Sequence, residues 1–243
     1  MKKSPADYLA LALDNLSSTD AIRRLIGETA PSIGVFKIGL EQFTRFGPPL
    51  LDLVRNSGRK IFLDLKFHDI PNTVGKAVEA AAGLGVDYLT IHVSGGSAMM
   101  RAAHAAASLV KEGRPIAPKI IGVTLLTSID PEALKNELSV PLSVEEYLRG
   151  CAGRAVDAQL DGIVCSAADL GVVRPLLPDT FEIITPGIRM SGGDAHDQKR
   201  VATPAAAISG GATLLVLGRA VTEAERPGMA AGIIVKEIEG ILG

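Results

Sequence analysis

The stretch "IFLDLKFHDIPNTV", residues 61–74, begins as an apolar strand and ends in the loop before a helix, with Asp64, Lys66 and Asp69 set within six positions at the changeover. Side chains of a strand alternate between its faces, so Asp64 and Lys66 share one face while Leu63 and Leu65 take the other. The leucines suit packing against a layer of helices. The charges then point the opposite way, away from that layer. Charged groups are rarely buried unless they are paired. Either these sit at a strand end in water, as ordinary salt bridges, or they are held together for chemistry.

Working outward, the same strand-then-helix unit recurs along the chain. Apolar or β-branched runs fall at 8–14, 33–39, 60–66, 86–93, 119–126, 161–166, 181–187 and 213–219. Between them lie segments of helical periodicity such as "AIRRLIGETA" and "SVEEYLRGCAGRAVDAQ". Ser143 with Glu146 fits a capping box, and Asp130-Pro131 and Thr203-Pro204 fit an N-cap followed by proline at the first helical position. Eight strands alternating with helices over 243 residues predict a (β/α)8 barrel, with residues 1–243 as one domain. A doubly wound open sheet gives a similar pattern and is the alternative.

Composition narrows the function. A formal net charge of −2 with no Lys/Arg-rich run argues against nucleic acid as a partner, and with no Trp, three Tyr and six Phe there is little material for base-stacking platforms. No apolar run approaches the length of a bilayer span, so no membrane partner is expected. In "MKKSPADYLALALDNL", Asp7 and Asp14 bracket an apolar segment too short for a signal peptide core. Cys151 and Cys165 form no CxxC and no metal spacing, and read as reduced core residues of a cytoplasmic protein.

A parallel barrel gathers its working side chains at the C-terminal strand ends. Asp14, Lys37, Asp64, Lys66, His92, Thr127, Arg189 and Arg219 lie there. Lys37, one strand before Asp64 and at the same height, can reach it. Two like charges about 4 Å apart repel by roughly 4 kcal/mol at an effective dielectric near ~20, so Asp64 and Asp69 can be held close only with lysines between them. Lys37, Asp64, Lys66 and Asp69 form such a neutral set. At the other side, "LLVLGRAVTEAE" carries Gly218-Arg219 from the last strand into a helix, where barrels often bind phosphate. The long stretch "PGIRMSGGDAHDQKRVATP" holds Arg189, the Gly192-Gly193 pair and Gln198, and suits a glycine-hinged lid.

Taken together, "DLKFHDIPNT" (64–73), "PGIR" (186–189), "DQKR" (197–200) and "LGR" (217–219) resemble the orotidine 5′-monophosphate decarboxylase family, over nearly the whole chain from "LALD" onward. The resemblance implies conversion of orotidine monophosphate to uridine monophosphate and CO2, in pyrimidine synthesis, by a (β/α)8 homodimer needing neither metal nor organic cofactor. It makes Lys66 the proton donor to C6 and places Asp64 beside the substrate carboxylate. Asp69 and Thr73 would cross into the neighbouring subunit's site, Asp69 to the charge array and Thr73 to the ribose side. Lys37 would hold Asp64 and a ribose hydroxyl, Asp14 the ribose, and Thr127 the pyrimidine. Arg189, Gln198, Gly218 and Arg219 would grip the phosphate, with Gln198 closing over the base.

Two rivals stay open on the residues alone. A related barrel could use a similar Asp-x-Lys-x-x-Asp strand with Mg2+, though Lys37 is a poor neighbour for a divalent cation. A non-catalytic barrel could bind a pyrimidine nucleotide as a sensor, though Lys66 and Asp64 are both in place. His92 could line the site. His68 reads as a loop-shaping residue, and His104 and His196 have no metal-ligand spacing with the others. Met99-Met100 reads as helix packing.

Overall fold

The structure is a computed structural model that describes residues 3–109, 117–189 and 202–242. Eight strands, β1 (Leu9–Ala12), β2 (Val35–Gly39), β3 (Lys60–Phe67), β4 (Tyr88–His92), β5 (Lys119–Val123), β6 (Gly162–Val164), β7 (Glu182–Thr185) and β8 (Leu214–Leu217), pair in parallel in sequence order. β8 returns to β1 through Leu9↔Leu215, Ala10↔Val216 and Leu11↔Leu217, which closes the barrel. That closure rules out the open doubly wound sheet. Every strand overlaps its expected run.

Helices α1 (Thr19–Thr29), α2 (Leu40–Phe46), α3 (Pro49–Asn56), α4 (Pro71–Gly83), α5 (Gly96–Ser108), α6 (Pro131–Asn136), α7 (Val144–Asp157), α8 (Leu170–Val173), α9 (Pro204–Ser209), α10 (Arg219–Thr222) and α11 (Pro227–Leu242) intervene or follow. Their starts obey the capping chemistry. Ser143 Oγ accepts the Glu146 N–H at 3.2 Å, and the Glu146 carboxylate accepts the Ser143 N–H at 2.9 Å. Asp130 and Thr203 likewise accept the N–H groups of Ala133 and Ala206, at 2.9 and 3.2 Å.

Strand alternation builds two cores. Ala10, Val35, Phe62, Tyr88, Ile121, Ile184 and Leu214 point inward and fill the barrel. Their neighbours Leu11, Phe36, Leu63, Leu89, Ile120, Ile163, Ile183 and Leu215 belong to a second core that packs against the helices, and all are buried. Each such side chain contributes about 1.5–3 kcal/mol on burial. Met99 and Met100 of α5 join this outer core, as their helical position suggests.

The pole at the strand N-termini is stapled by a repeated device. Asp87, Asp161 and Thr213 each precede a strand, and their side chains accept the N–H of Ile61, Ile120 and Ile183 on the strand before, at 2.8, 2.8 and 2.9 Å. Their own N–H groups return to the carbonyls of those same isoleucines at 2.9, 3.0 and 2.9 Å. With this pole tied down and its interior filled, the opposite mouth is left to form a cavity.

Candidate active site

At the C-terminal mouth lies a cleft of about 380 Å³, bordered by residues from most of the strands. On one wall four side chains of alternating charge make a chain. Asp14, just past β1, meets the Lys37 ammonium at 3.0 Å; Lys37 lies 3.5 Å from Asp64 Oδ2; and Lys66 donates to that same oxygen at 2.8 Å. Lys37 and Asp64 are almost wholly buried, while Lys66 and Asp14 reach into the cleft. A buried ion array of this kind stands only because each charge faces its opposite. Burial by itself would raise the Asp64 pKa, but Lys37, then Lys66, and hydrogen bonds from Lys66 and Thr90 outweigh it and hold the carboxyl below its ordinary value.

Local backbone places these groups. The ladder between β3 and β4 shifts register between Leu63 and Phe67, and Lys66 adopts a φ of 49°. Regular alternation therefore stops short of Lys66, which meets Asp64 through a left-handed residue at a bulge. For a non-glycine residue that conformation costs about 1–2 kcal/mol. The Lys66 N–H donates to Thr90 Oγ1 of β4 at 2.9 Å, and that hydroxyl donates to Asp64 Oδ1 at 2.9 Å. Gly39 ends β2 beside the array, where an added Cβ would stand 2.8 Å from Asp14 Oδ1 and 3.2 Å from Lys37 Nζ.

The opposite wall is cationic. Arg189 follows β7, its backbone N–H donating to Ala202 O at 3.0 Å, and Arg219 opens α10 directly after Gly218. Both arginines and Gly218 line the cleft. The Arg189 guanidinium is buried, donates from Nη1 to Ile188 O at 3.0 Å, and keeps an Nε with no hydrogen-bond partner among the described residues. Burial, and then the nearby Arg219 charge, lower its pKa. Two guanidiniums and an unsatisfied donor around one cavity make a site for an anion with several acceptor oxygens. Thr127, after β5, borders the cleft between the two walls. Among the described residues no three His, Cys, Asp or Glu side chains converge on a point that could hold a metal ion.

Residues 7–233 match the family model described as "Orotidine 5'-phosphate decarboxylase / HUMPS family". The chain belongs to this orotidine 5′-phosphate decarboxylase family. The orotidine 5′-phosphate decarboxylase of Moorella thermoacetica is 45% identical over 238 residues, covering 96% of this chain and 92% of that protein. The Syntrophotalea carbinolica enzyme of the same name is 43% identical, covering 96% of each. Among solved structures, orotidine 5′-phosphate decarboxylase from Lactobacillus acidophilus superposes with a TM-score of 0.83 at 33% identity, over 95% of this chain and 98% of that one.

Within this decarboxylase-family barrel, Asp14, Lys37, Asp64, Lys66, Thr127, Arg189, Gly218 and Arg219 all border one cleft. Asp69 and Thr73 do not. Both are exposed, and Asp69 Oδ1 accepts the Ile70 N–H at 2.6 Å in the loop entering α4. The neutral set closed within one chain therefore has Asp14 as its second acid and not Asp69, because Asp69 sits beyond the strand end and its carboxylate is turned to its own loop. Gln198, with Gly192-Gly193, lies outside the described residues. His92 packs on His68 with ring centroids 5.1 Å apart and does not border the cleft; burial, then His68 and Lys66, lower its pKa. Thr90 and Gly39 escaped the sequence reading. Inward parity on β4 was the available signal for Thr90, and a glycine two residues after Lys37 the signal for Gly39.

Proposed function

We propose that the cleft decarboxylates orotidine 5′-monophosphate to uridine 5′-monophosphate, as a step of pyrimidine synthesis, through its Lys/Asp array. What carries this reading is the unbroken chain Asp14–Lys37–Asp64–Lys66 on one wall, facing the buried Arg189 and the half-buried Arg219 on the other. A nucleotide spanning the cleft has its phosphate on the arginines and Gly218, its ribose on Asp14 and Lys37, and its pyrimidine by Thr127. C6 and its carboxylate then lie at Asp64 and Lys66.

The chemistry asks for such a wall. When the bond from C6 to the carboxylate breaks, CO2 leaves and the electron pair stays on C6, in the plane of the ring, where the π system stabilises it poorly. The Lys66 ammonium stabilises this carbanion and delivers the proton that makes uridine monophosphate; the amine then regains a proton from solvent. Preorganised charge acts most strongly where water is excluded, as around the buried Lys37–Asp64 pair that backs Lys66. Binding energy from the phosphate, remote from C6, orders the site. No step draws on a metal or an organic cofactor.

Asp69 and Thr73 complete the site of a second subunit in this reading, which makes the working unit a homodimer. Their exposure at the start of α4 supports it, as does Ile70 between them, an apolar side chain 66% exposed. The free thiols Cys151 and Cys165 are in keeping with a cytoplasmic location, and no helix among the described residues is long and apolar enough to cross a membrane. The test is the ultraviolet spectrum of orotidine 5′-monophosphate mixed with the purified protein in EDTA. Conversion to the spectrum of uridine monophosphate is expected. An unchanged spectrum from folded protein would overturn the assignment, and turnover appearing only with added Mg2+ would move it to a metal-dependent barrel.

A further inference from the structure

We propose that Thr90 is a positioning residue for decarboxylation, its hydroxyl holding both the Asp64 carboxylate and the left-handed backbone of Lys66. This rests on the function proposed above and goes beyond it, since Thr90 does not border the cleft. Thr90 is fully buried on β4. Its Oγ1 accepts the Lys66 N–H at 2.9 Å, so the one hydroxyl proton is left to go to Asp64 Oδ1, also at 2.9 Å. The two contacts have different consequences.

The first concerns where the ammonium stands. Lys66 sits at the register shift of β3 with a φ of 49°, an unfavourable conformation that persists only when its surroundings hold it. The Thr90 acceptor is one such hold, on the very residue whose side chain must meet C6. The second concerns how Asp64 shares its lone pairs. Oδ2 takes both ammonium groups, Lys66 at 2.8 Å and Lys37 at 3.5 Å. Oδ1 takes a neutral hydroxyl, which fixes the carboxylate plane and favours its ionised form. The titratable and charged groups around Asp64 are Lys37, Lys66 and, next in the chain, Asp14, with the His68–His92 pair beyond Lys66.

Three variants separate hydroxyl from shape. Thr90→Val keeps the branched side chain and removes both hydrogen bonds; Thr90→Ser keeps the hydroxyl and removes the methyl; Thr90→Ala removes both. Steady-state turnover of orotidine 5′-monophosphate should show kcat lowered about ten- to a hundredfold in the valine and alanine variants, with KM changed far less, because a buried carboxylate oxygen and a buried N–H lose their partner. Thr90→Ser should stay within about threefold of the wild type, since a hydroxyl of the same reach keeps both bonds. The acid limb of the kcat–pH profile should move to higher pH in Thr90→Val and return in Thr90→Ser, because loss of a donor to the ionised form raises a carboxyl pKa.

A valine variant as active as the wild type, or a serine variant as impaired as alanine, would overturn the inference. So would a fall in kcat with an unmoved acid limb, which is what lost packing alone produces. Should the valine variant not fold, serine against alanine still decides. Failure of the wild type itself to turn over the nucleotide would instead strike the proposed function, so the two failures are told apart.

Discussion

Lys66 and Asp64 are two positions apart on one strand, yet what joins them is not the ordinary pleat. The left-handed backbone at Lys66 and the bulge against β4 turn the ammonium onto Asp64 Oδ2. Gly39 shows the same economy of space. Its φ of −88° is open to any residue, so what demands glycine is room beside Asp14 and Lys37 and not backbone freedom. A Cβ there would force the Asp14 carboxylate aside, since the nearest atom is the end of a flexible side chain. Gly39→Ala should therefore fold normally by circular dichroism and lose about ten- to a hundredfold in kcat/KM, because misplacing a positioning group by about 1 Å can cost up to a hundredfold. Unchanged kinetics would show that Asp14 has slack and that its contact with Lys37 does not position substrate.

The elements are legible where local chemistry decides them. Capping boxes and Pro-headed helix starts stand in the chain as written, and α6, α7 and α9 begin where they indicate. The pole staples are less legible, because an aspartate before a strand has many uses and only the paired strand reveals which N–H it takes. Each staple satisfies a backbone donor that the ladder leaves over at the barrel rim. Removing one acceptor with Asp161→Ala should lower unfolding free energy by about 1–3 kcal/mol in urea denaturation, with turnover of orotidine monophosphate unaffected at the far pole. Asp161→Asn, which keeps a carbonyl oxygen, should recover much of the loss. Stability equal to the wild type in the alanine variant would mean that water serves the Ile120 N–H equally well.

For the whole molecule the decisive feature is what the barrel leaves outside itself. Within one chain the cleft has Asp14, Lys37, Asp64 and Lys66, but Asp69 and Thr73 stand exposed on the α4 approach. A twofold assembly that brings each chain's α4 approach to the other's mouth would use them and cover Ile70. Mixed Lys66→Ala and Asp69→Ala chains, each inactive alone, should then regain roughly a quarter of wild-type activity after subunit exchange, since half of the dimers carry one intact site. No recovery, with exchange shown by a tagged chain, would refute a shared site.

The sequence by itself determined the alternation of strands and helices, the helix caps, and which side chains gather at the strand ends, because these follow from periodicity and nearest-neighbour chemistry. It also carried the family's motifs, from "DLKFHDIPNT" to "LGR". Only the tertiary structure decided that the sheet closes, since closure is a pairing of β1 with β8 across about two hundred residues. Only it put Asp14 against Lys37 within one chain, and Thr90 beneath Asp64. Such partners lie on different strands, and which of several inward-facing polar groups meet depends on register and a bulge that no local pattern encodes.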